Sequence, residues 1–310
     1  MTVNVLSVDV EEYYHAAIFR TGVAGRASLE FESRVEESMK RLLAVLETHR
    51  TKATFFVLGD VAAKHPSILH ALAAGHHEIA CHGDRHEDVC RMTPTEFRRD
   101  IRRAKATIEG ISGQPVIGYR APNFSIGREQ SWAYEVLAEE GFLYDSSQYP
   151  IYHPRYGQPE APRAPYEIWR RGSASLVEFP IGTARVFGMN VPVGGGGLFR
   201  LLPNEFYRRG IGHVNAHDHL PVMFYLHPWE LDPNQPRPPM AWRHRFRHYV
   251  GLEKEAGKLS RLLGQFRFGT AREFLQTRVC RIHSFDTVNT PVSSGVRQWP
   301  RHVVPTSPTS

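Results

Sequence analysis

Between residues 3 and 144 short apolar runs alternate with amphipathic stretches of helical period, and that alternation limits what the chain can fold into. Residues 3–8, 53–58, 78–81, 116–119 and 142–144 are short, apolar and rich in β-formers, which predicts five strands. In the intervening stretches apolar positions recur every three or four residues, the spacing of one helix face. Ser33-Arg34-Val35-Glu36 has capping-box spacing, and Val35, Met39, Leu42, Leu43 and Leu46 follow on one stripe. A second helix is predicted over 60–74 with Gly75 as its stop. Thr93-Pro94-Thr95-Glu96 supplies a cap, a proline at the first helical position and a glutamate at the third, opening a helix that runs to about residue 109. A fourth spans 130–140 and ends at Gly141. Strands separated by helices run parallel, so the choice is a doubly wound sheet or a barrel. No glycine-rich phosphate turn follows the first strand, which counts against a dinucleotide-binding sheet.

The period fails between 150 and 197, where prolines and aromatics alternate with few β-like residues. An irregular excursion of that length inside an α/β domain is expected to form a wall of a binding groove. Regularity returns with a strand at 222–226, a helix at 251–263 and a strand-helix pair over 266–275. One domain over residues 1–283 is therefore expected, with 284–310, rich in Val, Thr, Ser and Pro, as a poorly ordered tail.

At 310 residues, with 41% hydrophobic and 23% charged, the composition excludes a disordered or fibrous protein. No apolar run approaches a membrane span and no leader-like segment follows Met1, so a cytoplasmic protein is expected. Cys81, Cys90 and Cys280 contain no C-x-x-C pair, which argues against a disulfide framework or a thiolate zinc site. The net charge of +6 is spread along the chain, so nucleic acid is not the expected partner. The densest basic stretch, residues 243–248, reads as a solvated helix face or loop, and an anionic glycan would explain it equally well.

In a barrel the chemistry sits past the carboxyl ends of the strands. Those exits carry Asp9 and Glu11, His82 and His86, Arg120, Asp145, and His227. Each can titrate, ligate or carry charge. His82 and His86 are four apart, which on a helical turn would put both imidazoles on one face, able to share a metal. His213 and His217 repeat that spacing without a carboxylate from an exit loop, and read as structural. Two histidines plus one acid leave open coordination positions, as a catalytic zinc site requires.

Asp9-Val10-Glu11, His82-x-x-x-His86, Tyr119-Arg120-Ala121-Pro122, Asp145-Ser146-Ser147-x-x-Pro150 and Leu226-His227-Pro228 stand in the order of the five motifs of polysaccharide deacetylases, carbohydrate esterase family 4, which the chain resembles. The 194–200 glycine run ending in Arg200 and the sequence His227-Pro228-Trp229-Glu230 are similar to the subgroup linked to exopolysaccharide loci. The resemblance implies a distorted (β/α) barrel and metal-dependent removal of N- or O-acetyl groups from a glycan. It implies zinc as the ion, with cobalt or nickel as substitutes, held by His82, His86 and a first-motif acid. Where the family has a second aspartate this chain has Val10, so the ligand is assigned to Glu11, with Glu12 as the alternative. Gly83 stands where the family has a hydroxyl residue. Asp9 is expected to act as base, held by Arg120, and His227 as acid. Asp145 is expected to orient that imidazole or line the site, and Tyr149 and Trp229 to contact sugar. Competing readings are a small-amide hydrolase on the same fold and a non-catalytic carbohydrate-binding protein.

Overall fold

The computed structural model describes residues 2–16, 18–19, 31–153 and 156–282, so the expected tail lies outside the described residues. Strands β1 (Asn4–Val10), β2 (Thr54–Val57), β3 (Glu78–Cys81), β4 (Gly118–Tyr119) and β5 (Tyr144–Asp145) pair in parallel and in chain order. Helices α1 (Val35–Thr48), α2 (Gly59–Lys64), α3 (Pro66–Ala74), α4 (Pro94–Ser112) and α5 (Trp132–Glu139) connect them. The helix expected over 60–74 is two helices, because Pro66 has no N–H to continue the ladder and starts a new first turn. Thr93 caps α4 through the expected box with Glu96. Ser33 does not cap α1; its hydroxyl donates to Glu12 instead.

The expectation of an irregular excursion is corrected by two hairpins, β6 (Tyr166–Arg171) with β7 (Ala174–Glu178) and β8 (Thr183–Val186) with β9 (Met189–Pro192). Both turns are two-residue loops built on glycine. Gly172 has φ +59° at the first central position, and Phe187 and Gly188 both have positive φ, as type I′ requires. A bulge between Glu167 and Trp169 breaks the two-residue period that would have betrayed β6. Beyond them come α6 (Gly197–Leu201), α7 (Asn204–His213), β10 (Met223–Leu226), α8 (Trp242–Tyr249), α9 (Leu252–Leu263), β11 (Phe268–Gly269) and α10 (Ala271–Ile282). The main sheet runs β10-β1-β2-β3-β4-β5-β7-β6, with β11 also on β1. Among the described residues no helix is long and apolar enough to cross a membrane.

Alternation along each strand sorts its side chains between two cores. Leu6, Val8 and Val10 of β1, Phe55 and Val57 of β2, and Ile79 and Cys81 of β3 face the large core under the helices. Val5, Phe56, Ala80, Tyr144, Met223 and Tyr225 belong to a smaller core on the opposite face. Among the described residues the two sides of the sheet meet only through isolated parallel bridges, Ile181 to Met223 and Gly195 to Tyr225, so the barrel is distorted and incompletely closed. At that seam the glycine run has a steric purpose. A Cβ on Gly194 would lie 2.5 Å from Ile181, and one on Gly195, whose φ is +89°, would lie 2.2 Å from the Tyr225 carbonyl oxygen.

Gly195→Ala should therefore open the seam and cost at least about 2 kcal/mol, the sum of overpacking and left-handed strain. Gly212→Ala is the control: it lies in α7 with nothing within 4 Å of an added Cβ, and should gain about 0.5–1 kcal/mol. Urea unfolding of the two variants checks both signs.

Candidate metal and acid-base site

The inner face of the strands extends past their carboxyl ends into one cluster. Asp9 and Glu11 continue the parity of Val5, His82 that of Ala80, and His227 that of Tyr225, so all reach the same cavity. Val10 has the opposite parity and is fully buried in the large core, which removes it from the site for a geometric reason as well as a chemical one.

Glu11, His82 and His86 place one ligand atom each within 4.8 Å of one another, and all three are buried. Nδ1 of His82 lies 2.8 Å from the Arg120 carbonyl oxygen, which leaves Nε2 as its ligating atom. Nε2 of His86 lies 2.5 Å from Glu11 Oε2. Glu11 Oε1 accepts from the Trp229 indole at 3.1 Å. Two buried imidazoles and a buried carboxylate, with their ligand atoms gathered this closely, fit a divalent cation. Burial by itself would raise the Glu11 carboxyl, but the His86 and His227 imidazoles outweigh it and hold it well below the usual range. Burial pulls His82 down to about 4, so it is neutral and able to ligate at neutral pH. Glu12 is not in the cluster: it accepts from Ser33 and from the Arg34 amide at 3.0 Å.

The two histidines do not lie on a helical turn. Their segment is a loop in which Gly83 has φ +80° and His86 φ +58°. At Gly83 a Cβ would lie 3.0 Å from Asp100 Oδ2, and the Asp84 amide donates to that same oxygen at 3.1 Å. Asp100 therefore holds the loop that a hydroxyl at position 83 would otherwise help to hold.

Arg120 is fully buried. Its Nη1 lies 2.7 Å from Asp9 Oδ1, its Nε and Nη2 donate to Ser146, and its guanidinium sits 4.1 Å from the Phe56 ring centroid. Asp9 Oδ2 faces His227 Nε2 at 4.0 Å, and Glu11 Oε1 lies 3.7 Å from the same nitrogen. On its other side His227 Nδ1 is 2.6 Å from Glu230 Oε1, and Glu230 pairs with buried Arg200 at 3.2 Å. Burial would lower the His227 imidazole, but the carboxylates of Glu11, Glu230 and Asp9 raise it to about 9. Trp229 stacks on His227 at 5.2 Å and on His248 at 4.6 Å, so its lining face is already shared with two imidazoles.

Asp145 does not join this group. Tyr144 points to the inner face, so Asp145 points to the outer one, where it accepts from Ser147 Oγ at 2.6 Å. Its partner is Glu178, whose carboxyl burial and the Asp145 charge push well above the usual range. The carboxylate beside His227 Nδ1 is that of Glu230, not Asp145. Tyr149 is likewise buried in the small core, stacked on Tyr156 at 6.3 Å, rather than lining the cavity. Sequence reasoning missed Glu230 and Arg200 as site residues, although both stand in the two motifs quoted above; their pairing spans 30 residues and only folding reveals it. His15, stacked on His86 at 5.4 Å, and His248 on the basic helix α8 complete the surround.

Fold and cluster together define a (β/α)-barrel protein with a buried His/His/carboxylate centre at its strand exits. Residues 20–138 match the polysaccharide deacetylase family model and residues 146–276 match a domain of unknown function, DUF3473. Residues 20–138, well under half of the chain, are thus similar to the polysaccharide deacetylase family. It is 32% identical over 97 residues to a chitooligosaccharide deacetylase of Bradyrhizobium sp. (strain ANU 289), covering 31% of this chain and 42% of that protein. The chain thus spans under half the length of this curated relative. Its fold is similar to that of a probable polysaccharide deacetylase from Pseudomonas aeruginosa PAO1, with TM-score 0.57, 17% identity and 91% of each chain covered. It is similar too to that of PuuE allantoinase, with TM-score 0.58, 15% identity, and 92% of this chain and 91% of that one covered. The boundary between the two matched segments is not a structural one, because β4 of the first and β7 of the second lie in one sheet, joined through β5.

Two outcomes follow from this geometry. Glu11→Ala and His82→Ala should each abolish stoichiometric binding of a divalent cation while Glu12→Ala retains it, read by elemental analysis of the purified variants. Glu178 has a folded value above its ordinary 4.5, so the stability it contributes is complete below that value and is lost as pH rises through the folded one. Glu178→Gln has no such proton to lose. The stability of the wild type relative to Glu178→Gln should therefore fall as pH rises above 4.5, measured by urea unfolding across pH.

Proposed function

We propose that this chain is a metal-dependent hydrolase that removes acetyl groups from a glycan, with zinc as its natural ion. One observation carries the reading: a single cavity holds a three-ligand cluster, a carboxylate anchored by a buried arginine, and an imidazole backed by its own carboxylate. Glu11, His82 and His86 would hold the ion, and imidazole and carboxylate donors suit zinc, with cobalt or nickel as workable substitutes. When bound, such an ion supplies polarisation of a carbonyl and acidification of water.

This chain's own residues handle the protons. Arg120 occupies Asp9 Oδ1 and leaves Oδ2 directed at the cavity, where it can accept a proton from an attacking water. Glu230 accepts from Nδ1 of His227, which turns Nε2 toward the reacting centre with a proton to give to the departing amine or alkoxide. Arg200 keeps Glu230 in place from the α6 side. The family match and the chitooligosaccharide deacetylase relative support a glycan as substrate. The resemblance of the 194–200 and 227–230 motifs to the exopolysaccharide-linked subgroup supports an exopolysaccharide as that glycan.

Acetate release from acetylated oligosaccharides, with and without chelator, tests the reading. Asp9→Asn and His227→Ala should each lower turnover about 10²- to 10⁴-fold with metal still bound. Glu230→Gln should lower kcat by about tenfold with little change in KM, because it misorients a proton donor rather than losing a ligand. Normal acetate release from any of the three would overturn its role, and hydrolysis of small ureides in place of glycans would favour an amidase on this fold.

A further inference from the structure

Helix α8 carries charge that the fold does not use. Residues 233–252 contain no Asp or Glu, and within them Trp242–Tyr249 reads Trp-Arg-His-Arg-Phe-Arg-His-Tyr. Arg243 and Arg247 stand at i, i+4, a like-charge spacing that costs helix stability. Among the described residues no carboxylate lies within ion-pair distance of Arg243, Arg245 or Arg247. The helix is nonetheless firmly seated. His248 is buried, its Nε2 lies 2.8 Å from Gln235 Oε1, its ring stacks on Trp229, and its carbonyl accepts from Arg200; Tyr249 is buried beside it.

That seating aims one face at the reaction site. His244 and Arg247, three residues apart and so neighbours on the helix surface, line the same cavity as Asp9, Glu11, His82, His86 and His227. The other charges there are accounted for: Asp9 belongs to Arg120, Arg200 to Glu230, and Glu11 to the ligand cluster. Among the described residues these pairings leave Arg247 open. Phe246, which precedes Arg247 in the chain, and Trp242, one turn from Phe246, are 58% and 71% exposed, and the Arg243 guanidinium lies 5.5 Å from the Trp242 ring centroid.

We propose that the glycan bound here is anionic, carrying a carboxylate on or beside the acetylated sugar, which sits against Arg247 and His244. This rests on the deacetylase reading above and adds the charge of the substrate to it. Fixed cations at the mouth draw an acidic chain in, and a guanidinium can take a carboxylate through two parallel hydrogen bonds. The acetyl group of the same or the adjoining unit is then left beside the metal-binding cluster and His227. A strand of nucleic acid would also be drawn by these cations, but the Glu11, His82 and His86 cluster in the same cavity suits an acetylated sugar better than a stack of bases.

Calorimetric titration of the full chain with unacetylated oligouronate, neutral oligoglucosamine N-acetylated to remove its charge, and a single-stranded oligonucleotide of equal length tests the charge without needing turnover. The oligouronate should bind about tenfold more tightly than the neutral oligomer at low salt. Arg247→Ala and Arg247→Glu should erase that preference, whereas Arg209→Ala, at an exposed arginine paired with Glu205 on α7, should keep it. Equal affinity for neutral and acidic oligomers, a preference that survives Arg247→Ala, or tighter binding of the oligonucleotide would each overturn the proposal. Acetate release from acetylated forms of both oligosaccharides is measured alongside. Arg247-dependent preference without any acetate release would sink the deacetylase reading and leave the anionic site standing; acetate release without the preference would do the reverse.

Discussion

Everything at the strand exits is arranged around one buried guanidinium. Arg120 leaves β4 on the inner face, reaches across the sheet to Asp9 on β1, and donates to Ser146 beyond β5, while its own carbonyl fixes His82 beyond β3. Four strands are thereby tied to one side chain that water does not reach. Removing one partner of such a pair strands a buried charge, at a cost of about 3–5 kcal/mol. The aromatic ring of Phe56 beneath it replaces part of the lost hydration by a cation–π contact.

A second network holds His227. Glu230 lies between His227 and Arg200, and Arg200 in turn binds the backbone of His248 on α8. The barrel seam and the acid are built by neighbouring stretches: the glycine run that lets residues 194–196 approach β10 ends in the helix that delivers Arg200. The same links hold α8 against the cavity. Closure of the sheet, orientation of His227 and placement of the basic helix are consequences of one local packing arrangement.

Inside the barrel the cluster has the composition that pulls pKa values apart. Carboxylates and imidazoles are gathered in a low-dielectric pocket where burial alone would neutralise each of them, and their mutual pairing decides which stay charged. His82, whose burial outweighs the Asp9 and Glu11 carboxylates, is driven neutral, whereas His227, among the carboxylates of Glu11, Glu230 and Asp9, is driven cationic. A neutral and a cationic imidazole thus arise from the same residue type through position only.

The strands through β5, their helices and the residues at their exits were legible in the sequence because apolar periodicity and capping are local properties. Asp9, His82, Arg120 and His227 could be picked out as exit residues, and the resemblance to the deacetylases gave them their order. The hairpins over 166–192 escaped notice because a bulge in β6 disrupts alternation, although Gly172 and Gly188 stood in the sequence as turn signals. Asp145 was misplaced for a simpler reason: a strand exit alone does not specify a face, and the Tyr144 side chain had to be seen pointing inward before Asp145 could be sent outward. The sequence by itself determined which residue types could do chemistry and roughly where the strands end. Only the tertiary structure decided that Glu230 rather than Asp145 backs His227, that Arg200 answers Glu230, and that α8 faces the cavity, because those contacts join segments whose separation along the chain carries no periodic signal.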